Sequence, residues 1–385
     1  MDFQLTDEQI MFRDMAKDFA IREVLPTVQQ RDREEKFFPE IMQKMGDQGL
    51  LSIMVPQEHG GLGLDWLTFG VVAETLAMYD YSVATNFVIG TTLQALPIVR
   101  FGTDEQKKKF IPDIIAGKKI GALGAVEPNA GSDASSIETT AVENGDYWIL
   151  NGNKTWITNA TAGHFAIVLA QTDKSKGAKG ITTFIVEKGT PGFSSVKISH
   201  KLGVRSMDTG QLFFRDCQVP KSNVLGPVGK GMSVALSSIE NTRYGLGCLA
   251  VGVTQACIDA SAKYCQERNQ FGKPIGSYQL VQEKIADMVV DCEASRYLAY
   301  HVGYLKDKGL PHSRETSIAK LHNTEAAVKA ARAAVELHGG YGFTDDFPVE
   351  RLYRDCLGAV IFGGTSHIQR MLIARSEIGL DAIAR

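Results

Sequence analysis

Residues 353–375, YRDCLGAVIFGGTSHIQRMLIAR, combine a Gly-Gly break at Gly363 and Gly364, hydroxyls at Thr365 and Ser366, and an imidazole at His367. Beyond the break, Ile368, Met371 and Leu372 recur at helical spacing with Arg370 and Arg375 on the other side, so the stretch reads as helix, sharp turn, helix. Two adjacent glycines let the backbone approach a ligand closely, and the next helix offers it free N–H groups. A plain interhelical turn would look the same. A second candidate face is Asn86, Gly90 and Gln94 at i, i+4 and i+8, with Thr91 beside them. Such a stripe of small and polar groups suits a ligand pocket or a close helix–helix contact. A third is the loop EPNAGSDASS at 127–136, rich in donors but by composition also an ordinary surface loop.

The elements that must hold these groups follow an α, β, α order. Thr6 and Gln9 form a capping-box pattern before Phe12, Met15, Ala16 and Phe19, a periodic run that stops at Pro26. Helical patterns follow at 38–50, 66–78, 83–99 and 104–116, with HGGLGLD at 59–65 as a loop. From residue 121 short β-rich runs take over, at 147–150, 155–158, 165–172, 181–187, 196–198 and 211–214, with Asn-Gly turn signals at Asn144 and Asn151. The expectation is an antiparallel β domain. Long helices then return at 232–268, 278–306 and 313–338, which pack most simply as an up-and-down bundle. The predicted fold class is therefore multidomain α+β: a helical domain at 1–120, a middle antiparallel β domain at 121–225 and a helical bundle at 226–385.

Composition removes several function classes. The net charge of −3 lacks the basic excess that nucleic-acid binding requires. No apolar run is read as reaching the roughly 20 residues that span a bilayer. The N-terminus opens MDFQLTDEQ without a basic-then-apolar signal, so a cytoplasmic location is expected. The six cysteines show no CxxC spacing, which argues against zinc or a disulfide framework. No strand followed by GxGxxG occurs, so the dinucleotide fingerprint is missing.

Six separate motifs agree on one family. EPNAGSD at 127–133, LNGNKTWITN at 150–159, NTRYG at 241–245, RNQFGKPI at 268–275, ELHGGYGF at 336–343 and GGTSHIQR at 363–370 resemble the acyl-CoA dehydrogenase flavoproteins in order and spacing, from end to end. The resemblance implies the acyl-CoA dehydrogenase fold, with a C-terminal four-helix bundle and FAD held between the β domain and the bundle. It places Leu123, Val126, Ser132, Trp156, Ile157 and Thr158 by the isoalloxazine ring. Thr158 would hydrogen-bond near the reactive nitrogen, where a donor stabilises charge as hydride arrives. Arg268, Gln270, Phe271, Gln279, Glu336, Gly339 and Gly340 would be a neighbouring subunit's contribution to the diphosphate and adenosine, with Thr365 and His367 completing the site. Sharing of this kind implies a homotetramer. The family often has Thr at the position of Val126, so one hydrogen bond to the flavin is in question.

By the same resemblance Ser132, Glu240 and Arg243 would contact the CoA portion of an acyl-CoA substrate. From the residues alone, Glu240 and Arg243 read as a surface i, i+3 ion pair. The family's electron acceptor is an electron-transferring flavoprotein.

The customary catalytic base is missing. Most relatives carry a Glu in YEGT where this chain reads Phe362-Gly363-Gly364-Thr365, and a second branch carries it immediately before the Arg, here Thr242. Neither glycine nor a threonine hydroxyl can take the proton. The expectation is an atypical dehydrogenase of an alicyclic or branched acyl-CoA, such as cyclohex-1-ene-1-carboxyl-CoA, with Thr91 a candidate pocket position and the usual base seats facing substrate. Enoyl-CoA reduction, a base-free desulfinase-like lyase reaction, and a disabled form that only binds acyl-CoA are the alternatives.

Overall fold

The computed structural model describes residues 4–382. Residues 1–3, which open the stretch read for a targeting signal, lie outside the described residues.

Helix α1 (Asp7–Phe19) starts with the expected capping box: Gln9 N–H donates to Thr6 Oγ1 at 3.3 Å and Thr6 N–H to Gln9 Oε1 at 3.0 Å. It buries Phe12, Ala16 and Phe19 at helical spacing. Then come α2 (Val28–Arg33), α3 (Pro39–Asp47), α4 (Trp66–Ala77) and α5 (Tyr81–Ile89). The predicted helix 83–99 is not regular. It passes from α5 through a π-helical turn, Gly90–Ala95, into α6 (Leu96–Phe101), before α7 (Asp104–Ile115) closes the series. A π turn widens the helix and rotates the residues beyond it, so the i, i+4, i+8 stripe does not stay on one face.

Seven strands form one sheet: β1 (Gly121–Gly124), β2 (Thr140–Asn144), β3 (Tyr147–Thr158), β4 (Phe165–Gln171), β5 (Ile181–Glu187), β6 (Phe193–Lys197) and β7 (Thr209–Pro220). The order is β1-β4-β2-β3-β7-β6, with β5 also on β4. The antiparallel expectation needs a correction, because β1 runs parallel to β4 and β2 meets β4 in parallel at Thr140 and Gln171. Parallel neighbours need a long connection, and here the chain from β1 to β4 runs through the EPNAGSD loop and the β2–β3 hairpin, while that from β2 to β4 runs through β3. The first Asn-Gly signal is a true hairpin turn between β2 and β3, with Gly145 at φ 57. The second is not a turn: β3 runs straight through it, with a register shift between Leu150 and Gly152. A Cβ on Gly152 would lie 2.5 Å from Thr139 Oγ1, so glycine is required there by close approach.

The bundle consists of α8 (Gly231–Glu267), α9 (Gln279–Asp307) and α10 (Ser313–His338), followed by α11 (Val349–Ala359) and α12 (Ser366–Ile378). A small hairpin of β8 (Asn269–Gln270) and β9 (Lys273–Pro274) joins α8 to α9. The spans Tyr81–Phe101 and Gly231–Glu267 are long and apolar enough to cross a membrane, against the expectation from sequence, but their apolar windows are 83% and 72% buried. They are core helices: Phe69, Phe87, Tyr244, Leu246 and Leu249 join α4, α5 and α8 in one cluster.

Candidate active site

The Gly-Gly break lies between α11 and α12 as expected. Gly363 (φ 67) and Gly364 (φ 91) both adopt the left-handed backbone that glycine tolerates. Thr365 N-caps α12, its Oγ1 accepting from Ile368 N–H at 3.2 Å, while His367 stays exposed. Three side chains hold the turn from behind. Arg243 Nε donates to the Gly363 carbonyl at 3.0 Å. Lys320 Nζ donates to Gly364 O at 2.9 Å and Ala359 O at 2.7 Å, and Gln369 Nε2 donates to Gly364 O at 3.0 Å. Lys320 is fully buried among carbonyls, and burial, helped by the Arg243 charge, pushes its ammonium down to about 8. Lys320 carries no motif, and Gln369, although inside GGTSHIQR, was assigned no role from sequence; a Lys within the small-residue face of α10 was the available signal for the first.

Positions 363 and 242, where the resemblance led to the expectation of a Glu, are both closely packed. A Cβ built on Gly363 would lie 2.4 Å from Leu246 Cδ1, so the Leu246 side chain occupies the space a longer residue would take. Thr242 is buried, donates to Ser238 O at 2.9 Å and lies 2.8 Å from Thr92 Oγ1. Thr92, not Thr91, is thus the partner facing Thr242 across from the π turn. Sequence reading missed it because the π turn shifts the facing position.

The pocket stripe is corrected in the same way. Gln94 Oε1 accepts from Gly121 N–H at 2.8 Å, whereas Asn86 Nδ2 donates to Ser82 O at 3.1 Å while its Oδ1 stays buried without a partner among the described residues, at the wall of a small cavity shared with Arg31, Phe38 and Ser206. Gly90 differs: it is buried, yet a Cβ there would meet no atom within 4 Å. Thr91 is buried beside it, at 2% exposure. The acids of the preceding helix and turn, Glu74 and Asp80, are engaged elsewhere. Glu74 accepts from Arg296 Nε at 2.9 Å and from Tyr300 at 3.1 Å, and Asp80 accepts from Arg31 at 2.7 Å while capping α5.

Glu240 and Arg243 do not form the i, i+3 ion pair among the described residues. Glu240 accepts from the Ser313 hydroxyl and lies 3.8 Å from His312 Nδ1, while Arg243 turns to Gly363. Burial lowers the Arg243 pKa. Ser132 is exposed in its loop.

The remaining predicted residues fall on two surfaces. On the sheet, Trp156 sits at a bulge of β3, between Lys154 and Ile157, with φ 58 and 63% exposure. Thr158, two residues further along β3, and Leu123, on β1, whose neighbour Gly124 packs against Lys154 of β3, are half-buried; Ile157 points into the sheet core, and Val126 accepts from Thr155 N–H at 3.0 Å. At the end of the bundle, Arg268, Gln270, Gly339 and Gly340 line a groove of about 580 Å³ with Tyr264, Tyr341 and Thr344. Gln279 and Phe271 are exposed, the latter at 94%, and Glu336 pairs with Lys284 at 2.6 Å and Arg332 at 3.0 Å rather than entering the groove. None of residues 123–158 lines that groove.

Comparison with known proteins decides the family. Residues 6–118, 122–217 and 229–378 match, in turn, "Acyl-CoA dehydrogenase, N-terminal domain", "Acyl-CoA dehydrogenase, middle domain" and "Acyl-CoA dehydrogenase, C-terminal domain". The chain belongs to the acyl-CoA dehydrogenase family. It is 40% identical to the short-chain specific acyl-CoA dehydrogenase of Clostridium acetobutylicum over 97% of this chain and 99% of that one. It is 39% identical to the acryloyl-CoA reductase (NADH) of Anaerotignum propionicum over 97% and 95%. The structure superimposes on butyryl-CoA dehydrogenase from Megasphaera elsdenii with a TM-score of 0.96 at 38% identity, covering 98% of this chain and 100% of that one.

As a family member this acyl-CoA dehydrogenase is an FAD-dependent oxidoreductase, and its surfaces fit that cofactor. An indole held exposed by a left-handed bulge is an apolar platform for a flat ring system, and such strain collects at functional positions. At the bundle end, glycines whose Cβ would meet nothing leave room beside the Arg268 cation for a diphosphate. When bound, FAD accepts the hydride from the acyl chain.

Proposed function

We propose that the enzyme dehydrogenates an alicyclic or branched acyl-CoA thioester, with cyclohex-1-ene-1-carboxyl-CoA as the type compound, and that no carboxylate at position 363 or 242 takes its proton. The observation that carries this reading is at Gly363, where Leu246 Cδ1 lies 2.4 Å from the place of an absent Cβ. A general base contributes about 10²–10⁴-fold in rate, so an ordinary straight-chain substrate would turn over poorly here. The unfilled, buried space beside Gly90 supports a wide acyl group. The hydride would go to the flavin and the proton to bulk solvent, since Thr91, beside Gly90, is too weakly basic to keep it.

In this reading Trp156, Thr158, Leu123 and Val126 face the flavin ring. Arg268, Gln270, Phe271, Gln279, Gly339 and Gly340 serve the FAD of a neighbouring subunit in a homotetramer, while Ser132, Glu240 and Arg243 hold the CoA arm. The turn clamped by Arg243 and Lys320 orients the thioester. Electrons pass to an electron-transferring flavoprotein. A second reading, reduction of an enoyl-CoA, is favoured by the 39% identity to acryloyl-CoA reductase.

The test is anaerobic. Cyclic, branched and straight-chain CoA thioesters are added singly while the oxidised flavin band is followed. Rapid bleaching by a cyclic thioester and slow or no bleaching by butyryl-CoA is expected. Fast bleaching by butyryl-CoA overturns the proposal. Re-oxidation of reduced enzyme by an enoyl-CoA, without bleaching by any saturated thioester, moves it to reduction.

A further inference from the structure

We infer that the buried Glu127–Lys154 pair is a positioning device for the flavin-facing surface, and that FAD affinity depends on it. The inference rests on FAD use by this family and is independent of the acyl group proposed above. Lys154 lies on β3 two residues before Trp156, at the start of the bulge. Its Nζ donates to Glu127 Oε1 at 2.7 Å, and neither side chain reaches solvent: Lys154 is 0% exposed and Glu127 5%. The other carboxylate contacts are backbone donors from the far end of the same loop, Glu138 N–H at 2.6 Å and Thr139 N–H at 3.0 Å.

Three segments meet at this pair. The loop after β1 is closed by it from both ends, and is also pinned by reciprocal backbone bonds between Glu127 and Ala130 at 2.9 and 3.1 Å. The bulged end of β3 is tied to that loop a second time through Thr155 N–H to Val126 O at 3.0 Å. Strand β1 rests on the same side chain, since a Cβ on Gly124 would lie 3.3 Å from Lys154 Cγ. Leu123, Val126, Trp156 and Thr158 therefore depend on one internal tie, although none of them touches its charges.

Burial pushes the Lys154 ammonium down to about 8, with the Glu127 charge and hydrogen bond opposing. Burial alone would raise Glu127, but the Lys154 charge and its hydrogen bonds bring it below the ordinary carboxylate range. Each group stays ionised because of the other, so losing either releases both loop and strand. A constellation displaced by about 1 Å can lose on the order of 10²-fold in function.

The experiment measures FAD binding to apoprotein by fluorescence titration, together with the melting temperature, for wild type, E127Q, K154M and E127Q/K154M. Each single change should raise the Kd for FAD by about tenfold or more and shift the bound flavin's visible band, and the double change should cost no more than the worse single, because the pair acts as a unit. E127Q keeps the volume and one carbonyl oxygen, which can serve Glu138 N–H or Thr139 N–H but not both, and removes the charge, so it decides the matter if K154M does not fold. D80N, which breaks a second buried ion pair among the described residues, with Arg31 at 2.7 Å, is the control and should lower the melting temperature with no change in Kd. An E127Q protein that melts lower but binds FAD within twofold of wild type, with an unaltered flavin spectrum, overturns the inference and leaves the pair a stabilising feature only.

Discussion

Restoring a carboxylate at position 363 tests the reasoning most directly. The change Gly363→Glu places a side chain on backbone at φ 67, which costs an L-residue about 1–2 kcal/mol. Its Cβ would lie 2.4 Å from Leu246 Cδ1, with Leu246 Cγ at 3.8 Å, so only the far end of a flexible side chain has to move. Turning Leu246 off its rotamer costs about 0.5–1.5 kcal/mol. The variant should therefore fold, load flavin and lose roughly 2–3 kcal/mol of stability. In return it gains a general base, so flavin bleaching by butyryl-CoA in anaerobic stopped flow should accelerate by about 10²–10⁴-fold. G363E/L246A removes the obstruction and should reach at least the same rate, at the added cost of a cavity. If both variants are folded and flavin-loaded yet neither bleaches faster than wild type, position 363 is not an empty base seat and the account of the missing proton acceptor fails.

Two further outcomes are expected from the structure. Gly90→Val, a side chain entering open buried space from helical backbone, should lower kcat/KM for a cyclic thioester by about 10–200-fold while changing a short straight-chain one much less, as steady-state kinetics on both will show. Asp355 is buried, accepts from Val204 N–H at 2.6 Å, and is pushed up to about 7 chiefly by burial, against the pull of Arg351 and that N–H, with Asp32 and Asp80 adding to the rise. Its folded pKa exceeds an unfolded value of about 3.9, so the folded state holds the extra proton between them. This group's contribution is then fully present below about pH 4 and lost as pH rises towards 7, with a slope of up to about 1.4 kcal/mol per pH unit. Urea titrations at several pH values should show that decline in wild type relative to D355N; parallel profiles would refute it.

Much of this protein was decided by local sequence. Thr6 and Gln9 set the start of α1, Asn144-Gly145 set a hairpin, and the long periodic runs became α8, α9 and α10 because such signals act within a few residues. The motif order was enough to imply the family, and the sequence puts glycine at 363 and threonine at 242, the two positions where the resemblance leads one to expect a Glu. Tertiary structure decided the rest, wherever the partner lies far along the chain. Asn151-Gly152 has a turn's sequence, but Thr139 presses on Gly152 and the strand continues. Asn86, Gly90 and Gln94 share a helical stripe in sequence, yet the π turn hands Gln94 to Gly121, while Gly90 stays beside open space. The pairing of Glu127 with Lys154, of Thr92 with Thr242, and the filling of the seat at Gly363 by Leu246 are long-range contacts. Propensity reports what a segment prefers alone, whereas the packing of distant segments selects which side chains meet at the site.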